Sequence, residues 1–274
     1  MRAVIGAAPL ALVLASCEQQ QPEPSANVQS AAPPMPAPLL LPAPDPTLSR
    51  GDLISAAGRE ASRYAEGDDQ ASKDPLVGRT FSVKLAFGCS GPAPASTDAR
   101  DASGLAHWSW DTERKTIELS MVPGDWARSA LIAEGADAPD WEAVEGFWIP
   151  RPWLASESCP NVRSDPLQTA KADAAPQTVG LAAIFEAGGS RIGRRNGRAY
   201  TFTVRPEGDV PLKPPAQGYR LVLEGRIASY PNNRAIRCRA AGPDQRPVCV
   251  VAAKLDRVAF ETPEGKMLSE WRPG

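Results

Sequence analysis

Histidine is nearly missing: one occurs among 274 residues, His107. A mechanism that needs two imidazoles is thereby excluded, and zinc sites built on histidine go with it. No G-x-S-x-G elbow, S-x-x-K motif or phosphate-binding loop occurs. The glycines of Gly188-Gly189-Ser190-Arg191-Ile192-Gly193 are misplaced for a nucleophile elbow. They also fail the dinucleotide fingerprint, because Arg194 and Arg195 follow where an apolar helix should begin. No cofactor and no bound metal are therefore expected. Apolar runs stay shorter than the roughly 18–20 residues of a membrane-spanning helix. Net charge is also lacking: 30 Lys+Arg against 32 Asp+Glu leave −2. That balance argues against a basic coat for nucleic acid.

Proline is abundant, at 29 residues, and much of it is concentrated near the N-terminus. Residues 1–16 read as a signal peptide: Arg2 forms a minimal positive region and residues 3–14 a short apolar one. Residues 17–46 hold nine prolines and three consecutive glutamines, with neither helical nor strand period. Such a stretch has too little apolar surface to offset ordering entropy, and its prolines bias it to extended polyproline II. It is expected to be a disordered tether.

The segment Leu14-Ala15-Ser16-Cys17 resembles a bacterial lipoprotein lipobox. The resemblance covers these residues only. It implies lipidation of Cys17 by a diacylglyceryl thioether and a further acyl chain such as palmitate, and hence a membrane anchor in the cell envelope. Glu18 is not the aspartate that marks inner-membrane retention in some lipoproteins, so the resemblance favours the periplasmic side of the outer membrane or its surface.

Four further cysteines remain, Cys89, Cys159, Cys238 and Cys249, which allow three pairings. Export makes disulfides plausible. Strand-like residues 234–241 and 247–260 flank the turn Gly242-Pro243-Asp244-Gln245. A hairpin centred there pairs positions whose numbers sum to 487, setting Cys238 opposite Cys249 and Ile236 opposite Val251. Cross-strand cysteines in a close pair reach disulfide distance. Cys89 is left for Cys159.

The folded part reads as mainly β, an antiparallel sandwich or barrel-like body with one N-terminal helix after the tether. Helical spacing of Ile54, Ala57, Ala61 and Tyr64 predicts a helix near 48–65, with Glu60 and Arg63 outward, and 47–74 as helix plus linker. From 75 to 272 the period becomes two. Phe81, Val83, Leu85 and Phe87 alternate with polar positions, and residues 105–110 and 115–122 form a hairpin around 111–114. Residues 123–142 fit a short helix or a long loop, and 144–149 a strand. Further strands are expected near 179–186, 199–205, 218–229, 234–240 and 247–260. A parallel α/β fold is not expected, since helical crossovers are missing. One domain, or two lobes at about 75–160 and 178–272 hinged at a loop, both fit.

Two features point toward function. Residues 45–170 carry a net −8 and residues 187–260 a net +9. Arg191, Arg194, Arg195 and Arg198 crowd one turn, and Arg237 and Arg239 share the outward face of the cysteine hairpin. Arginine suits bidentate capture of phosphate or carboxylate. The other use of these arginines is internal, neutralising the acidic half. Six of seven tryptophans lie between Trp108 and Trp153, and Trp148 and Trp153 flank a proline-stiffened segment. They suit aromatic contact with a sugar or partner, or core packing. The acid clusters Glu66/Asp68/Asp69/Asp74 and Asp137/Asp140/Glu142/Glu145 match no calcium loop and read as solvated.

The expectation is a non-enzymatic envelope lipoprotein whose tethered β domain binds an anionic envelope component, such as lipopolysaccharide or cell wall, or a partner protein. The alternative is a carboxylate-dependent glycan hydrolase, which needs only two acids in one cleft. A purely structural spacer is a third reading.

Overall fold

The computed structural model describes residues 45–68, 74–94, 102–133, 141–161, 177–191, 193–208 and 210–272. The signal segment, Cys17, most of the tether and residues 162–176 lie outside them. The described residues fall within one unit, Pro44–Gly274. Among them no helix is long and apolar enough to cross a membrane.

The chain enters the unit as an extended segment: Leu48 bonds to Thr80 and Ser82 in a parallel bridge. Ser49 and Asp52 then form a capping box that starts helix α1, Arg50–Glu66, and Gly67 in a left-handed conformation ends it. The buried face is Leu53, Ala56 and Ala57, with Arg50. The expected face, through Ile54 and Tyr64, is therefore rotated, and Tyr64 is exposed. Two small alanines let the helix lie close to the sheet. Glu60, expected outward, turns to an ion pair with Arg234.

The strands are β1 Thr80–Phe87, β2 Ala106–Asp111, β3 Thr116–Met121, β4 Gly124–Asp125, β5 Trp141–Trp148, β6 Val179–Glu186, β7 Tyr200–Val204, β8 Tyr219–Ile227, β9 Ile236–Arg239, β10 Val248–Glu261 and β11 Met267–Trp271. A single helical turn, α2 Ala130–Ala133, lies between β4 and β5. They make two sheets. The larger runs β1-β8-β10-β6-β5-β4, with β9 and β11 paired to β10; the smaller is β2-β3-β7. The fold is mainly β, a sandwich. β1 and β8 pair antiparallel through eight residues, so Phe81, Val83, Leu85 and Phe87 face inward together with Leu221 and Leu223. Trp108, Ile117, Leu119, Met121 and Tyr200 close the same core from the smaller sheet.

β10 is the centre. It pairs with β9 through Val248–Val251 and with β8 through Ala253–Glu261 on one edge. On the other edge lie β6 and, beyond it, β11. The β6–β10 pairing is parallel, from Val179↔Cys249 to Ala183↔Ala253. It is a parallel pair set within a sandwich whose other strand pairings are antiparallel among the described residues. A parallel pair needs a long crossover, and here β7, β8 and β9 supply it in place of a helix. Val179–Ile184 of β6 and Cys249–Ala253 of β10 are covered on both faces. A second cluster of Ile132, Val144, Ala182, Ile184, Tyr230, Val250 and Ala252 packs on the side away from the main core. Strands buried on both faces read as continuous apolar runs, as β6 does.

Strands from either side of 160–178 interleave in one sheet: β1 pairs β8, and β5 pairs β6. A division into two lobes there would cut through that sheet.

On the edge of the large sheet, Trp126 lies on a floor of glycines. A Cβ at Gly124, Gly146 or Gly180 would stand 2.6, 2.0 or 2.7 Å from the indole. The indole also meets Trp148, at 4.7 Å between ring centroids.

Cys238 faces Cys249 in register, with Ile236 opposite Val251, and the two sulfurs are joined. Cys89 is joined to Cys159, 70 residues away. Loop-closure entropy grows with the enclosed length, giving about 4 kcal/mol for the longer loop and about 3 kcal/mol for the shorter. Replacing Cys89 and Cys159 by alanine is therefore expected to lower the denaturation midpoint more than replacing Cys238 and Cys249. Urea unfolding of the two double variants checks the order.

Candidate functional site

The arginine-rich turn between β6 and β7 folds onto the acidic half of the chain. Arg191 grips Glu142 bidentately, Nε to Oε2 at 3.0 Å and Nη2 to Oε1 at 2.9 Å. Arg194 donates Nη1 to the same carboxylate at 3.0 Å. The turn itself is left-handed at Asn196 and Gly197. It points the backbone N–H groups of Arg195 and Asn196 at Glu145 Oε1, at 2.6 and 2.9 Å. The Arg195 guanidinium lies 4.5 Å over the Tyr200 ring and donates to the carbonyls of Arg198 and Ala199. Arg198 Nε returns to the Arg195 carbonyl at 3.1 Å. Of the two uses open to this cluster, the geometry displays the internal one. Glu142 and Glu145 are the chain's own anions, placed on β5 and not in a solvated loop. Asp74 is likewise buried, accepting from the Leu76 and Ala235 N–H groups at 3.0 Å each. Asp69, Asp137 and Asp140 lie outside the described residues.

Arg237 and Arg239 sit apart from that turn. The Arg237 guanidinium lies 4.7 Å over Tyr230 and donates to the Ile132 carbonyl at 3.3 Å. Arg239 is exposed at the end of β9. Both line a groove of about 460 Å³ between the C-terminal half of α1, the α2 turn and β9. Arg63, Arg234, Glu60 and Asp68 also line it, so four guanidinium groups face two carboxylates. Glu60 is held between Arg63, at 3.5 Å, and Arg234. Arg63 Nε also donates to Asp68 Oδ2 at 3.0 Å, which raises its affinity for its proton. Tyr64, on the groove's rim, accepts from the Ala240 N–H at 3.2 Å and ties helix to strand. The Cys238–Cys249 disulfide fixes the strand that carries Arg237 and Arg239. Sequence reasoning found the arginines from 234 onward but not Arg63. Arg63 sits where the helix face is rotated.

The aromatic pair divides. Trp148 is half-buried against Trp126, whereas Trp153 is 57% exposed. His107 stands opposite Ser120 in the small sheet, on the face away from the buried Trp108. Among the described residues, no group of three or more His, Cys, Asp or Glu is placed to hold a metal ion.

Glu145 is a buried acid beside open space. It is 7% exposed and borders two cavities. One, of about 300 Å³, also touches Glu186, Asp256 and Tyr200; the other, of about 500 Å³, touches Glu142 and Asp125. Burial pushes its carboxyl above the ordinary value near 4.5, against the pull of the two N–H donors and Arg194. Burial, with the Glu145 charge, also pushes the Tyr200 phenol up. Glu186 is engaged by Lys254 at 2.8 Å, and Asp256 lies 3.7 Å from Arg226. The sequence signal for Glu145 was present: an acid at the inward-facing step between Ala143 and Phe147.

No family model matches the chain, and neither a curated protein nor a solved structure matches it.

Two outcomes follow for Glu145. A carboxyl raised on folding binds more protons in the native than in the unfolded state, so stability falls as pH climbs from about 4.5 through the raised value. Glu145→Gln keeps an acceptor for both N–H groups and is expected to flatten that slope. Glu145→Ala strands the two donors and is expected to cost about 1–3 kcal/mol. Denaturant unfolding at a series of pH values measures both.

Proposed function

We propose that this chain is a non-enzymatic lipoprotein of the cell envelope, anchored through Cys17 and probing its surroundings with a tethered β sandwich. Its binding surface is the groove between α1 and β9, and its ligand is an anionic envelope component or the acidic face of an envelope protein. The observation that carries this reading is the lining of that groove, four arginines against two acids. Arg237 and Arg239 contribute from the strand, Arg63 and Arg234 from the flanks. Guanidinium groups present paired donors that match phosphate and carboxylate oxygens. The lipobox and the proline-rich segment support the anchoring and the reach: at ~3.1 Å per residue the tether spans up to about 90 Å.

Glu142 and Glu145 occupy the turn of Arg191, Arg194, Arg195 and Arg198. In this reading the turn holds the sandwich together, and the groove, not the turn, meets the ligand.

A second reading is favoured by Glu145 alone. A carboxyl with a raised proton affinity beside other acids is what a glycan hydrolase uses as its general acid. Its Oε1 already accepts two backbone N–H bonds, which supports a structural assignment more strongly.

Capture of lipopolysaccharide or cell-wall fractions by the full chain is expected to weaken steeply as salt rises from low to physiological strength. Arg239→Glu, at an exposed position, is expected to weaken it ~10-fold, the scale of one charged hydrogen bond. Unchanged capture by this variant would overturn the groove assignment. Hydrolysis of envelope glycan that is lost in Glu145→Gln would favour the second reading instead.

A further inference from the structure

Trp153 is displayed on a loop that is unusually well held. Arg50, only 1% exposed, lies beneath it. Its Nε donates to the Leu154 carbonyl at 3.1 Å, and its Nη2 to the carbonyls of Pro150 and Arg151. Three carbonyls on both sides of Trp153 thus converge on one guanidinium. Arg151 adopts a left-handed backbone, φ 51°, and its own guanidinium donates to the Ala86 carbonyl on β1. Pro152 is buried. Farther along, Cys159 is fastened to Cys89. A non-glycine residue in the left-handed region costs free energy and persists only where its surroundings over-determine it. All this order is spent on a loop whose central side chain faces water.

The position of the loop says what it faces. Its anchor, Arg50, is the first residue of α1, and Gly51 lies against Ala155, whose Cβ would be 3.5 Å from a Cβ there. Residues 46–49, through which the chain enters the unit, are fixed just upstream: Arg79 donates to the Pro46 carbonyl, and Leu48 is bridged to β1. Trp153 therefore stands at the end of the sandwich that receives the tether.

We infer that Trp153 is a membrane-interface contact, by which the sandwich rests on the bilayer that holds its lipid anchor. The inference rests on the lipid-anchored reading of Cys17. Tryptophan prefers the headgroup level, where its ring is apolar and its indole N–H stays hydrogen-bonded. One such residue binds a bilayer weakly from solution. On a tethered domain the contact is intramolecular, at an effective concentration that the length and stiffness of the linker set. Between Arg151 and Glu157 the loop reads Pro-Trp-Leu-Ala-Ser, with no charge to keep it out of the headgroup layer. Rigid display removes the ordering cost that a flexible loop would carry on contact.

The test uses the full chain purified with its N-terminal modification and reconstituted into phosphatidylethanolamine and phosphatidylglycerol vesicles, with or without dibrominated phosphatidylcholine. The emission of the Trp153→Phe variant is subtracted from that of the parent chain, isolating one of seven tryptophans. The expected difference spectrum is blue-shifted and loses most of its intensity when bromine is present. A difference spectrum that ignores bromine, from a chain whose intact mass carries the acyl chains, overturns the Trp153 contact and leaves the anchor standing. A chain whose mass shows no acyl group overturns the anchor and the contact together. Trp153→Phe is surface-exposed and is expected to leave the thermal midpoint unchanged, so a lost signal does not come from unfolding.

Discussion

The burial of the Cys249–Ala253 stretch of β10 on both faces constrains the strands around it. A strand covered on both faces cannot shed its backbone polar groups to water, so it must be paired along its length. At 14 residues β10 is longer than any single neighbour, and it is satisfied in relays, by β9 then β8 along one edge and β6 then β11 along the other. The relay explains the parallel β6–β10 segment. With β8 and β9 filling one edge, the free edge of the first half of β10 accepts the strand that the second core cluster demands. It also explains why Arg257, after the irregularity at Leu255/Arg257, sits among Glu224, Glu261 and Glu270, one from each of the strands that meet there.

The charge asymmetry of the chain has a structural resolution. Among the described residues, the acidic first half and the basic second half meet where Glu142 and Glu145 hold the 191–198 turn, where Glu60 pairs with Arg234, and where Asp74 binds the backbone that opens into β9. Each joins an element from before the 162–176 segment to one after it. Such contacts are partly buried, so salt screens them less than it would screen surface pairs. In the α1–β9 groove four arginines stand with two acids in the lining, which is why the functional reading moves there from the turn.

Alternation made most strands legible. β1, β3, β6 and β10 lie close to where period two or an unbroken apolar run placed them, and the 487 register follows from one turn and two flanking strands. Legibility failed where a long-range partner decides. The helix face turned on Leu53 against Ile54, a choice of one residue that a buried Arg50 settles by reaching carbonyls about 100 residues away. β11 has only Met267, Leu268 and Trp271 to mark it, and it exists because the end of β10 needs an edge partner. The arginine turn looked like a ligand site because sequence shows clustering of like charge and hides what faces it. Glu145 looked like one acid among several because burial is a property of the sheet it joins. Trp153 was visible as a tryptophan between prolines, but its exposure depends on a guanidinium from another element.

The glycine floor beneath Trp126 bears on how this sequence can change over evolutionary time. Three glycines on three neighbouring strands, β4, β5 and β6, have ceded their side-chain space to a single indole. None of the three positions can accept even a methyl group while that ring is present. Loss of the ring would release all three at once and leave a void that no one of them can refill. Four sites in three stretches of the chain are thereby bound into a single heritable unit, and drift at any one of the glycines must wait for the ring.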